Sequence, residues 1–168
     1  ITFIFQDFSL LPWLNVRGNV AFVLKHHSLG AAEMERRIDN ALERTGLSDF
    51  ATALPKQLSG GMKMRCSVAR SLVLNPKVFL FDEPFGALDE ITRENLNDEL
   101  LRLFRHEQFA GVFITHAISE AVYLSTRVVV MSARPGRLVG DYQVPFEFPR
   151  VHDLRYEPAF AELCGQIS

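Results

Sequence analysis

Two adjacent carboxylates, Asp82 and Glu83, close the apolar run Val78-Phe79-Leu80-Phe81. A buried-type strand rarely ends in paired acids unless charge is used there, although capping of the next element is a structural alternative. Chemistry gives the pair separate jobs. An aspartate at a strand tip can hold Mg2+ through its water shell, because hard cations take oxygen ligands and magnesium keeps several waters. The glutamate beside it can take a proton from a water attacking a phosphorus atom. Two further apolar runs end in polar residues of the same kind. Ile1 to Phe5 is followed by Gln6-Asp7, and Val112-Phe113-Ile114 by Thr115-His116. If the three runs are strands of one parallel sheet, Gln6, Asp82, Glu83 and His116 share its carboxyl edge, where such sheets bind ligands. There His116 can hydrogen-bond a phosphate, and the Gln6 side-chain oxygen can bind a metal-bound water.

A second constellation is Leu58-Ser59-Gly60-Gly61, directly in front of a helical pattern. Serine at that place accepts a bond from the first-turn N–H groups, and glycine adapts to the bend. The same letters make an anion site, since glycine lets a ligand approach backbone donors at a helix N-terminus. Asp89 can cap the next long helix, with Glu90 in its first turn. The other histidines offer less: His26-His27 reads as exposed linker, His106 as a helix C-terminal residue, and His152 as part of the tail. Lys63, Arg65 and Arg70 form no basic stripe, and a net charge of -2 argues against a nucleic-acid partner.

The elements that must position these groups follow from periodicity. The run at 1–5 reads as a strand, and it starts without methionine, as a piece cut from a longer protein would. Residues 8–19 read as an apolar loop, with Pro12 and Gly18 opposing regular structure, and a helix is expected from about 20. Met34, Ile38, Leu42 and Thr45 recur at helical spacing, with Gly46 as the stop. The helix after Gly61 carries two apolar stripes and runs to Asn75-Pro76. It reads as buried over most of its girth, with Lys63, Ser67, Arg70 and Ser71 on the remaining face. Then come a strand covered on both faces at 78–81, a long helix from 89 to about 105, and a second buried-type strand at 112–114. A short helix at 119–125, a third strand at 128–131 and a hairpin partner at 138–142 complete the order. After Pro145 the chain is expected to be irregular and loosely held. Strand, helix, strand, helix, strand predicts an α/β layered fold with a parallel sheet. With 48% hydrophobic and 23% charged residues, 168 residues make one ordinary globular domain. Two cysteines, Cys66 and Cys164, show no metal spacing, and no apolar run nears the roughly 20 residues of a membrane span.

The ordered set Gln6-Asp7, Leu58-Ser59-Gly60-Gly61, Phe81-Asp82-Glu83-Pro84, Gly86-Ala87-Leu88-Asp89 and Thr115-His116 resembles the ATP-binding cassette ATPase family. The resemblance implies a P-loop NTPase core with a helical subdomain, incomplete at its N-terminus. It divides the chain into a core strand and glutamine loop (1–8), a helical subdomain with the signature (9–75), and core sheet with C-terminal segment (76–168). It implies ATP and Mg2+ as ligands, with Gln6 and Asp82 at the metal and Glu83 as general base. His116 becomes the switch histidine and Asp89 an interface residue. Ser59, Gly60 and Gly61 become the signature that clasps the terminal phosphate of a nucleotide held mainly by a second ATPase subunit. That accounts for an anion-binding helix start with no phosphate-binding lysine of its own.

Three stretches, 5–22, 82–89 and 128–137, look like the importer ATPases for nitrate, sulfonate and taurine. This implies a peripheral subunit on the cytoplasmic face of the inner membrane, paired with a second copy. It docks to a permease that a solute-binding protein feeds, with Leu11, Pro12 and Trp13 as contacts. If so, residues 8–14 form an exposed patch near Gln6, and Leu11 marks it better than Trp13. The family's phosphate loop, GxxGxGK[ST], is absent from these 168 residues, so by themselves they are expected to lack appreciable ATPase activity. Met62 stands where the signature usually has glutamine, and Ala117 where aspartate often follows the histidine. A non-hydrolysing remnant and a chromosome-maintenance ATPase are the rival readings. No heptad stretch between Gln6 and Leu58 supplies the coiled coil expected of the latter.

Overall fold

A computed structural model describes residues 1–86, 88–105 and 109–168; Ala87 and His106, singled out in the sequence, lie outside them. The described residues form two compact units. One takes in the residues up to Asp89 together with 109–112, the other 90–105 and 113–168.

The first unit is built on strand β1 (Thr2–Phe5), helices α1 (Val16–Phe22), α2 (Ala31–Arg44) and α3 (Gly60–Leu72), and strand β2 (Val78–Asp82). β1 and β2 pair in parallel, with Thr2 opposite Phe79 and Phe5 opposite Asp82. The three-stranded sheet has the order β1-β2-β3, with β3 at Ala110–Ile114. α2 ends where expected, with Gly46 in the left-handed region at φ 63°. α3 buries Met64, Cys66, Val68, Ala69 and Leu72, but also Ser67 and Ser71, which the sequence puts on an uncovered face. Ser71 earns burial by accepting the Thr2 hydroxyl at 3.1 Å, which ties the helix to β1.

Three expectations change. Helix α1 begins at Val16, so Gly18 is inside it rather than in a loop. Asn15 caps the helix, its side chain accepting from the Gly18 N–H at 2.7 Å. A β-carbon at 18 would lie 3.0 Å from the Asn15 Oδ1 and 3.3 Å from the Leu14 Cβ, so glycine serves close approach here, not a break. β2 alternates, with Phe79 and Phe81 buried and Val78 and Leu80 half-buried. β3 is not buried: Val112 and Ile114 are more than half exposed, as befits the outer strand of the sheet.

The second unit contains α4 (Glu90–Phe104), α5 (Ile118–Leu124), β4 (Arg127–Met131), β5 (Leu138–Gln143) and α6 (Pro158–Ile167). β4 does not extend the parallel sheet. It pairs antiparallel with β5 as a separate two-stranded sheet, because the turn at 132–137 returns the chain directly alongside it. The tail is not loose. Leu154, Phe160, Leu163 and Ile167 join Val122, Tyr123, Val128 and Val144 in one apolar core. Arg150, only 7% exposed, donates to the carbonyls of Val122, Tyr123 and Ser125 at 2.9, 2.7 and 2.9 Å, and twice to that of Phe146. The first three occupy acceptors that the end of α5 leaves open, and the positive charge suits its dipole. Burial pushes the Arg150 guanidinium down to about 10, still charged at neutral pH. His152, set aside in the sequence, meets Asp98 at 2.8 Å, and Arg155 meets the same carboxylate at 3.0 Å.

Candidate active site

The β1–β2 register decides where the polar residues emerge. Because Phe5 pairs with Asp82, Gln6 leaves β1 beside the point where Glu83 leaves β2. Both side chains converge on Gly86. A β-carbon there would lie 3.2 Å from the Gln6 Nε2 and 3.4 Å from a Glu83 carboxylate oxygen. Glycine leaves that space open. The turn is closed by the Gly86 N–H donating to the Glu83 carbonyl at 3.0 Å. Glu83 itself has φ 44°, a left-handed conformation that strains a side-chain-bearing residue by roughly 1–3 kcal/mol. Strain held at a half-buried carboxylate on a sheet's carboxyl edge is characteristic of functional positions.

Asp82 and Gln6 are exposed at this rim. Among the described residues no three acidic, histidine or cysteine side chains form a metal cage. A carboxylate and an amide oxygen at one edge suit a hard divalent cation that takes its other ligands from water and phosphate oxygens, as Mg2+ does.

Ser59 is the N-cap of α3, its hydroxyl accepting from the Met62 N–H at 3.2 Å, and it stays exposed. The helix start also touches the segment after Gly86, since a β-carbon at Gly60 would lie 2.9 Å from Leu88 Cδ2. Asp89 is exposed immediately before α4. His116 belongs to the second unit, exposed between β3 and α5.

The apolar loop has an exposed tip, but not the one expected. Trp13 is 72% exposed and Pro12 is exposed, while Leu11 is half-buried. The cause is Asn19, 1% exposed beneath the loop. Its Oδ1 accepts from the Leu11 N–H at 2.8 Å, and its Nδ2 donates to the carbonyls of Leu11, Leu14 and Asn15 at 3.2, 2.9 and 3.0 Å. Arg70 secures the other end, reaching from α3 to the carbonyls of Ser9 at 2.6 Å and Phe8 at 3.1 Å. Burial lowers the Arg70 pKa. Sequence reasoning missed both clamps. The available signal was an asparagine on the apolar stripe Val16-Asn19-Val20, which only a buried bonding role explains.

The sequence pattern of the ABC transporter family matches residues 1–86. The chain belongs to that family. A Brucella abortus protein named as ATP-binding is 46% identical over 164 residues, covering 98% of this chain and 63% of the relative. An aliphatic sulfonates import ATP-binding protein of Xanthomonas axonopodis pv. citri is 48% identical over 160 residues, covering 95% and 63%. The taurine import ATP-binding protein of Rhizobium johnstonii is 43% identical over 169 residues, covering 98% and 64%. Among solved structures, cbiO1 from Clostridium perfringens, part of the ABC transporter complex cbiONQ, superposes with a TM-score of 0.79 at 26% identity, over 95% of this chain and 60% of that one. The fold is thus the α/β fold of P-loop NTPases in its ABC form. The chain spans less than two thirds of the length of these relatives. Among the described residues, no helix of this ABC chain is long and apolar enough to cross a membrane.

Proposed function

We propose that the protein containing these residues is the ATP-hydrolysing subunit of a membrane importer for small anionic solutes of the sulfonate, taurine or nitrate kind. The observation that carries this is the convergence of Gln6 and Glu83 on Gly86, at the carboxyl edge of paired strands. Glu83 takes the proton of the attacking water, and its left-handed backbone sets the direction of the carboxylate. Asp82 and Gln6 would hold magnesium, which supplies charge neutralisation at the phosphate oxygens. His116 hydrogen-bonds the transferred phosphoryl group. Ser59 and the glycine N–H groups at the start of α3 bind the terminal phosphate of a nucleotide carried by a second copy, and Asp89 lies at that interface. The family resemblance and the relatives' printed roles support these assignments.

In this reading residues 9–75 form the helical subdomain, and the tip at Pro12 and Trp13, with Leu11 behind it, docks a permease served by a solute-binding protein. The subunit sits on the cytoplasmic face of the inner membrane and does not bind nucleic acid. The test is Glu83→Gln in the full-length protein. The carboxamide keeps the size but takes no proton, so nucleotide affinity should persist while turnover falls by about 10²–10⁴. Unchanged turnover with intact binding would refute the assignment. The 168 residues alone should show none of the roughly 1–10³ per second turnover of ordinary enzymes.

A further inference from the structure

The turn that presents His116 has a support that the reaction scheme does not use. Ala117 is the N-cap of α5 and supplies no side-chain bond. Its N–H is instead taken by the Thr115 Oγ1 at 3.0 Å. A hydroxyl has one proton to give, and Thr115 gives it to the carboxylate of Glu120, which also bonds Asn97 of α4, with the Arg93 guanidinium and the His116 ring as neighbours. Glu120 is 5% exposed, and its Oε1 has no partner. A glutamate at the third position of a helix ordinarily reaches back to the N-cap N–H. Here Thr115 already holds that N–H, and the carboxylate is turned onto the threonine hydroxyl. A buried carboxylate is unfavourable unless its bonds are used. The Thr115 hydroxyl that it engages is the group that holds the Ala117 N–H, so the two residues flanking His116 are tied to each other.

We propose that Glu120 is a positioning residue for the switch segment: through the Thr115 hydroxyl it fixes the turn that aims His116. This rests on the ATPase reading above, so the experiment separates the two. ATP turnover by the full-length protein is measured for His116→Ala, Glu120→Met, Glu120→Gln, Thr115→Val and the double variant Glu120→Met/Thr115→Val. Methionine fills the site without an acceptor, whereas glutamine keeps a carbonyl for the hydroxyl. Glu120→Met and Thr115→Val should each lower kcat about 10-fold with KM within about two-fold, since uniform binding is untouched. The double variant should be no worse than either single one, because both break one relay. Glu120→Gln should recover at least half of the turnover that Glu120→Met loses. Normal kcat in Thr115→Val, or losses that multiply in the double variant, would overturn the proposal. If His116→Ala turns over normally, it is the reading of His116 that falls. Amide exchange at Ala117 then decides alone: about 10-fold faster exchange in Glu120→Met or Thr115→Val supports the relay, and unchanged exchange overturns it.

Discussion

Replacing Asn19 with alanine removes the buried side-chain bonds that shape the loop behind Pro12 and Trp13. The Leu11 N–H and the carbonyls of Leu11 and Leu14 lose their side-chain partner, while the Asn15 carbonyl keeps the Asn19 main-chain N–H at 2.9 Å. At about 0.5–1.5 kcal/mol per neutral bond, with some rehydration of the loop, Asn19→Ala should destabilise by about 2–4 kcal/mol. For a domain of this size that corresponds to a Tm lowered by roughly 5–15 °C. Asn19→Asp is the sharper variant. It trades the Nδ2 donor for an oxygen facing three carbonyls, which raises the new carboxyl's pKa in the folded state. With the folded value above the unfolded one of about 3.9, the native state binds more protons and stability falls as pH rises through that window. Both states are protonated well below it, and there the charge penalty vanishes. Urea denaturation of the full-length protein at acid and neutral pH measures this. If Asn19→Ala loses less than about 1 kcal/mol, or Asn19→Asp is equally stable at both pH values, the staple is not what holds the loop.

Other consequences are as direct. Arg150→Met leaves buried carbonyls at the end of α5 unsatisfied and should lose about 3–5 kcal/mol in urea titrations, with Arg150→Lys recovering part of it through a point charge without the fork. Burial alone would raise the Asp98 carboxyl, but bonds from Tyr123, His152 and Arg155 outweigh it and hold the pKa below its ordinary value. That contribution is present above the unfolded pKa and lost as pH falls through the folded one. Asp98→Asn should therefore flatten the acid limb of a stability–pH curve, and an unaltered limb would contradict the assignment. Burial pushes the Cys66 thiol up to about 11, whereas Cys164 is only partly buried. Iodoacetamide near pH 8 should label Cys164 first in mass spectrometry, and equal labelling would mean that α3 opens readily.

The parts of this molecule legible in the sequence are those where one local pattern suffices. The left-handed stop at Gly46, the Ser59 cap and the acidic end of β2 each follow from a few neighbouring letters. Where a residue acts on distant backbone, the letters misled. Asn19 made a helix start at Val16 compatible with an apolar loop folded over it, and Gly18 looked like a breaker because its crowding against Asn15 is invisible in one dimension. Ser71 reads as surface until its bond to Thr2, nearly seventy positions away, is seen. The tail has weak periodicity because its order comes from Arg150 and from an apolar core assembled out of several elements. β4 and β5 show the converse: the hairpin turn was readable, but not that it withdraws β4 from the parallel sheet.

The clamp at Arg150 reaches further than stability. Helix α5 has only seven residues, about 10 Å of rise, with the His116 turn at one end and the Arg150 guanidinium at the other. So short a rod transmits displacement rather than absorbing it. Loss of the Arg150 side chain would unfasten one end of the rod, and the other end would drift with it. The segment that looks least functional in the letters thus acts as a tail-stock, and its integrity can be read as jitter at a histidine 34 positions upstream.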